Sequence, residues 1–199
     1  MAGLIRTVAP AVTPVSLSET KLACRIDASV DDALVTAYLN SAIEQLEGTA
    51  KGDKGILGRA LVTQTWQMHL DDFPAGDCFT LPKPPVQSVS SIQYYASDGT
   101  LTTLSTDGYQ VDTVAEPARV MLKLGQTWPT VELQRLNAVV VTFVAGYGNA
   151  SAVPESLKAA IHLLVQKGYD ASRGGDELAS RVLDNAVSAL VHPYVMRWA

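Results

Sequence analysis

The chain has 199 residues, 47% of them apolar, and a formal net charge of −5. That apolar content excludes wholesale disorder, and the length suits one domain or one domain carrying an insertion. The acidic balance argues against a protein that wraps duplex nucleic acid, because such a surface needs Lys and Arg to displace counterions.

The longest apolar run, Ala138 to Ala145, is broken by Thr142 and is too short to span a bilayer. The first residues, Met-Ala-Gly-Leu-Ile-Arg, lack a basic segment followed by a long apolar core, so no secretory signal is expected. Cys24 and Cys78 are isolated and have no metal-ligand spacing. Both are expected to be reduced, buried residues of a cytosolic product.

Residues 1–60 read as helical. Ser16 and Glu19 have the spacing of a capping box ahead of Leu17 to Leu22. A second helix is expected from Asp31 and Asp32, with Leu34, Val35, Tyr38, Leu39, Ala42, Ile43 and Leu46 at helical spacing. The two aspartates suit its N-terminus, where the macrodipole favours negative charge. Gly48 to Gly58 lacks the Gly-Lys-Ser/Thr ending of a phosphate loop and reads as a surface loop.

Residues 61–148 read as a β-rich insertion. Trp66, Met68 and Leu70 alternate with Thr65, Gln67 and His69, the period of a half-buried strand. Pro82, Pro84 and Pro85 precede a strand over Val86 to Ala96. Ser97-Asp98-Gly99 is a turn signal, with Thr100 to Leu104 as the hairpin partner. Tyr109 and Val111 start another strand, and Val120, Leu122 and Leu124 share one face of a further one. Val139, Val141 and Phe143 line one face of the last strand; Val140, Thr142 and Val144 line the other. Two apolar faces predict a central position.

Residues 149–192 return to helix. Pro154 suits a first helical turn. Leu157, Ala160, Ile161, Leu164 and Val165 form one stripe, ended by Gly168 and Ser172 to Gly175. A last helix over Leu178 to Val191 places Val182, Leu183, Ala186, Val187 and Leu190 on one side. Pro193 disfavours helix at His192, so residues 193–199 read as an extended tail. The fold class is therefore α+β: a small helical bundle with an inserted antiparallel sheet region.

No constellation carries chemistry. His69 and Asp71 would face the same way on a strand, but a metal or catalytic site needs further ligands that His162 and His192 do not supply. There is no Gly-x-Ser-x-Gly elbow, and Ala145-Gly146-Tyr147-Gly148 reads as a turn rather than a dinucleotide fingerprint. No catalytic, cofactor-binding or metal residue is assigned. The tail stands out instead. Tyr194, Met196, Arg197 and Trp198 are the residue types that anchor interfaces, unless they pack back on their own core.

The order of several segments resembles the phage head–tail connector family. The segments are Pro14-Val15-Ser16-Leu17-Ser18-Glu19-Thr20-Lys21, the acid-capped helix, and Gly58-Arg59-Ala60-Leu61-Val62-Thr63-Gln64-Thr65-Trp66. There follow Leu81-Pro82-Lys83-Pro84-Pro85-Val86-Gln87-Ser88-Val89, Tyr109-Gln110-Val111-Asp112 and Gly125-Gln126-Thr127-Trp128-Pro129. The most specific piece is Val141-Thr142-Phe143-Val144-Ala145-Gly146-Tyr147-Gly148 followed by Val153-Pro154-Glu155-Ser156-Leu157-Lys158. The resemblance runs from Pro14 to Val195. It departs in a longer Gly48 to Gly55 loop and in Gly168, which interrupts a usually more regular helix end.

The resemblance implies a non-enzymatic structural subunit without cofactors. It would form a dodecameric homo-oligomeric ring under the portal protein, dock the stopper or tail-completion protein, and extend the DNA channel. It would act in the virion neck after assembly in the host cytoplasm, with no membrane partner. The family's portal-docking C-terminal segment maps onto His192 to Ala199, and so onto Tyr194, Met196, Arg197 and Trp198. DNA must slide through such a ring without specific binding. Asp27, Asp31, Asp32, Glu44 and Glu47 make the second-helix region acidic and are expected to face the channel, repelling phosphate. The competing reading is a ligand- or protein-binding β module of a phage tail or baseplate; the long helices on both sides count against it.

Overall fold

A computed structural model describes residues 3–27, 29–51 and 53–196. The order of elements is β1 (Gly3–Val8), α1 (Leu17–Cys24), α2 (Asp32–Glu47), β2 (Gln64–Leu70), β3 (Cys78–Thr80), β4 (Val86–Tyr95), β5 (Leu101–Thr103), β6 (Tyr109–Asp112), β7 (Arg119–Leu122), β8 (Val139–Ala145), α3 (Glu155–Ala171) and α4 (Glu177–Val191). The fold is α+β, with helices and two antiparallel sheets, and it divides into two compact units.

The first unit takes the segment up to Ala11 together with 50–53 and 63–147. Its larger sheet has the order β1-β2-β8-β4-β5, and its smaller one β3-β7-β6. The two-residue period is visible in the register. Trp66 faces Phe143, Met68 faces Val141, and Val141 in turn faces Ile92; all five are buried. The apolar content of β8 predicted a central strand, and β8 lies between β2 and β4. Asp98 and Gly99 make the expected hairpin turn, with Asp98 Oδ1 accepting the Thr100 N–H at 2.8 Å.

Two cations flank the buried Trp66 ring. The Arg6 guanidinium carbon lies 5.8 Å and Lys83 Nζ 5.1 Å from its centroid. Lys83 is 1% exposed. Its ammonium donates to the Asp53 backbone oxygen at 2.8 Å, and the indole face supplies further negative potential, which is how a buried lysine keeps its charge satisfied.

The second unit takes 12–49, 54–62 and the chain from 148 on. The capping box at the start of α1 is present: Ser16 Oγ accepts the Glu19 N–H at 3.2 Å, and Glu19 Oε2 accepts the Ser16 N–H at 2.7 Å. The Ser16 N–H and then the Ser16 hydroxyl, both donating to it, hold the Glu19 carboxyl below its ordinary value. The apolar stripe of α2, Val35, Leu39, Ala42 and Leu46, is buried, as are Leu157, Ala160, Ile161 and Val165 of α3, and the two helices pack together. On its other side α3 packs against α4.

Several expectations need correction. The N-terminal region is not all helical: β1 pairs antiparallel with β2 along the edge of the larger sheet, with a bulge between Arg6 and Val8. Its six residues are too few for a period to show. Leu124 does not share the face of Val120 and Leu122, because β7 ends at Leu122 and Leu124 is fully exposed. Cys24 and Cys78 are both free, but Cys78 is exposed on the short strand β3. Gly168 does not end its helix, which continues to Ala171. Val182 is exposed, so the buried side of α4 is narrower than its apolar content suggests.

Candidate interaction surfaces

The C-terminal segment is fastened at its base. Pro193 does not release the chain: His192 keeps helical dihedrals, and His192–Tyr194 forms one 3-10 turn with proline near its start. A tight turn tolerates proline there, because an N-terminal N–H is unpaired in any case. The turn is held by the 54–62 segment. Arg59 Nε donates to the Tyr194 backbone oxygen, and the Met196 N–H donates to the Leu57 oxygen at 2.8 Å.

That segment is itself fixed to the end of α2. The Ile56 and Leu57 N–H groups each donate at 2.9 Å, to the oxygens of Gln45 and Leu46. Leu57, Ala60 and Leu61 are fully buried. The turn needs glycine at Gly55. Its φ is +60°, and a Cβ there would meet the Gly48 backbone nitrogen at 2.4 Å. Tyr194 and Met196 are thus half-buried at a fixed ledge; Arg197 and Trp198 lie outside the described residues.

The five acids expected to face a channel do not form one group. Glu47 cannot line any channel: it is 2% exposed, and its Oε1 accepts the Leu61 N–H at 2.7 Å. A periodic sequence shows Glu47 only as a polar residue at a helix end, whereas the fold turns it inward to satisfy a buried backbone donor. Asp31 accepts hydrogen bonds from the Tyr169 hydroxyl at 2.7 Å and from Arg173 at 2.8 Å. The carboxylate beside it raises the Tyr169 pKa. Asp32 pairs with Lys21. Asp27 and Glu44 are exposed.

The His69–Asp72 run is structural. Asp71 Oδ1 accepts the Asn137 N–H at 3.0 Å, and Asp72 Oδ1 accepts the Phe73 N–H at 2.7 Å. Among the described residues, no group of three or more His, Cys, Asp or Glu could hold a metal ion. Nor is any helix among them long and apolar enough to cross a membrane.

The surface that sequence reasoning missed is in the second unit. Leu22, Val30, Leu34, Leu178 and Val182 are exposed large apolar residues. Leu178 and Val182 look like the core side of an amphipathic helix, and only the packing of α3 shows that the core lies on the other side of α4.

Residues 14–101 match the family model described as phage gp6-like head-tail connector protein. No curated protein matches. Among solved structures, a chain of the virion of the native gene transfer agent (GTA) particle matches with a TM-score of 0.79 and 23% identity, covering 98% of this chain and 96% of that one. A chain in the neck of the empty GTA particle, computed with C6 symmetry, matches with the same values. A chain in the neck of the native GTA particle, computed with C12 symmetry, matches with a TM-score of 0.68 and 25% identity, covering 97% of each chain. Residues 14–101 thus carry the sequence pattern of the phage gp6-like head-tail connector proteins, and the fold over nearly the whole length is similar to that of chains in GTA particles.

Proposed function

We propose that the chain is a structural, non-catalytic subunit of a virion neck that assembles as a ring of twelve copies between the portal protein and the stopper or tail-completion protein, extending the DNA channel. The observation that carries this reading is the whole-length match to a neck chain computed with C12 symmetry, joined to the connector family match. The subunit would reach the neck after assembly in the host cytoplasm.

The C-terminal residues are the portal anchor in this reading. Tyr194 and Met196 stand on a fixed ledge, so the residues beyond, including Arg197 and Trp198, start from a defined point. That lowers the ordering cost of docking, and twelve copies acting on one portal multiply a weak contact. Of the acids proposed for the channel, Asp27 and Glu44 remain the exposed candidates, because Asp31 and Asp32 are neutralised and Glu47 is buried.

Electron microscopy of particles with and without this chain tests the function. The expected result is filled heads lacking tails when the chain is absent, and a ring of it at the neck when present. Tailed, infectious or transfer-competent particles without it would overturn the reading. Saturable ligand binding by the isolated subunit, with no neck location, would favour the tail-module alternative.

A further inference from the structure

The helices of the second unit form a layer with α3 in the middle. α3 packs against α2 on one side and α4 on the other, and it floors a groove of about 460 Å³ whose walls carry Tyr38 and Gln45 of α2 and Asp184 and Ser188 of α4. α1 packs on α2 and α3. The layer therefore has two different flanks. One is α4; the other is formed by α1, the turn after it and the start of α2.

Each flank exposes large apolar side chains. On α4, Leu183, Val187 and Val191 turn toward α3, while Leu178 and Val182, four residues apart, lie on the opposite side and are 68% and 60% exposed. On the other flank Leu22 and Val30 are 83% and 87% exposed, and Leu34 is exposed beside them in sequence. Apolar residues gathered on two flanks of one small layer are a sign of partners, since each leaves its area in water until covered.

The two patches lie at the same end of the layer. Asp31, at the start of α2, is bonded by Tyr169 and Arg173 from the end of α3, and α4 begins a few residues later. A contact between them in successive copies is head-to-tail, the kind that makes a ring when its rotation closes.

A ring of many copies needs a second copy placed head-to-tail rather than face-to-face, and the charges suit that placement. Asp176 and Glu177 precede Leu178, whereas Arg25 follows Leu22. None of the three enters an ion pair among the described residues. Seating α4 on the α1–α2 flank brings Asp176 and Glu177 to Arg25. Neither apolar patch offers phosphate anything to bind.

We propose that the ring contact is made by Leu178 and Val182 on α4 of one copy, seated on Leu22, Val30 and Leu34 of the next. This rests on the ring reading above and adds the surfaces that join its members.

The test uses particles assembled with the full-length chain, in which Cys24→Ala and Cys78→Ser remove the native thiols. Val30→Cys and Leu178→Cys are introduced singly and together, and the particles are treated with a short bismaleimide cross-linker. The double variant is expected to give a denaturing-gel ladder of covalent multimers, with neither single variant passing beyond the monomer. In the same background, Leu178→Asp with Val182→Asp is expected to keep the subunit's circular dichroism and melting temperature but to lose its incorporation into necks. Monomer alone from the double variant, in particles whose micrographs show the ring, would overturn the flank assignment and leave the ring standing. So would normal incorporation of the Leu178→Asp, Val182→Asp chain. Micrographs showing no ring of this chain would overturn the ring reading itself, and the assignment with it.

Discussion

Gly168 lies against the ring of Tyr38: a methyl group on its Cα would come within 2.8 Å of Tyr38 Cδ1. The glycine belongs to the interior of α3, where alanine would be favoured by about 1 kcal/mol on helix propensity. Here the close approach of α2 outweighs propensity, because added atoms in a packed contact cost about 1–3 kcal/mol. Gly168→Ala is therefore expected to lower stability in chemical denaturation. Tyr38→Ala combined with Gly168→Ala should recover part of the loss, because the pair interacts directly. A single variant more stable than the parent would show that the contact yields freely.

Glu47 closes the turn after α2 from inside. Glu47→Ala leaves the buried Leu61 N–H without its 2.7 Å acceptor, and an unpaired buried donor costs about 1–3 kcal/mol. Glu47→Gln keeps an acceptor oxygen and should lose less. Denaturation midpoints of the two variants check the order; equal losses would assign the effect to the charge rather than to the hydrogen bond.

His162 gives the helical unit a sensitivity to acid. Its Nδ1 is buried without a hydrogen-bond partner among the described residues, and burial lowers its pKa below the ordinary 6.5, with Glu19 and Glu155 opposing. The unfolded chain therefore binds the proton more readily than the folded one. The corresponding stability is fully present above pH 6.5 and is lost as pH falls through the lowered folded value. Chemical denaturation between pH 8 and pH 5.5 should show this slope in the parent and a flatter one in His162→Gln, both ranges being about the ordinary histidine value. An unchanged slope would place the titration elsewhere.

The end of the chain allows two truncations with different outcomes. Removing residues 197–199 is expected to leave the melting temperature unchanged while reducing attachment to filled heads. Removing 193–199 also takes away the Tyr194 oxygen that Arg59 reaches and the Met196 N–H bonded to Leu57. At about 0.5–1.5 kcal/mol per hydrogen bond, that variant should be measurably less stable but still folded. Full attachment after the shorter deletion would remove the terminal residues from the portal contact.

Periodicity was legible wherever it ran long enough. The stripes of α2 and α3, the alternation of β2 and β8 and the Ser16–Glu19 cap could all be read from residue spacing, because each is set by neighbours three to four, or two, positions away. The rest depended on distant partners. β1 is a strand because β2 lies beside it, some sixty residues later in the chain. Glu47 is buried because Leu61 needs an acceptor, and Leu178 is exposed because α3 meets the other side of its helix. Proline at 193 reads in the sequence as a helix breaker, yet at the start of a short turn it costs little. The interaction surfaces were the least legible part, since an apolar residue reads the same whether it faces a core or a neighbour.

The position of β1 also constrains the order in which the chain can fold during synthesis. Its residues are made before its partner β2, which follows only after α1 and α2, and the central strand β8 comes after the other seven strands. With translation at about 5–20 residues per second, β1 waits for seconds with no strand to pair with. Ile5 and Val8 spend that time in solvent and remain exposed in the finished sheet. The nascent chain is therefore most open to mispairing before residue 145 emerges, and a chaperone that shields β1 would raise its yield.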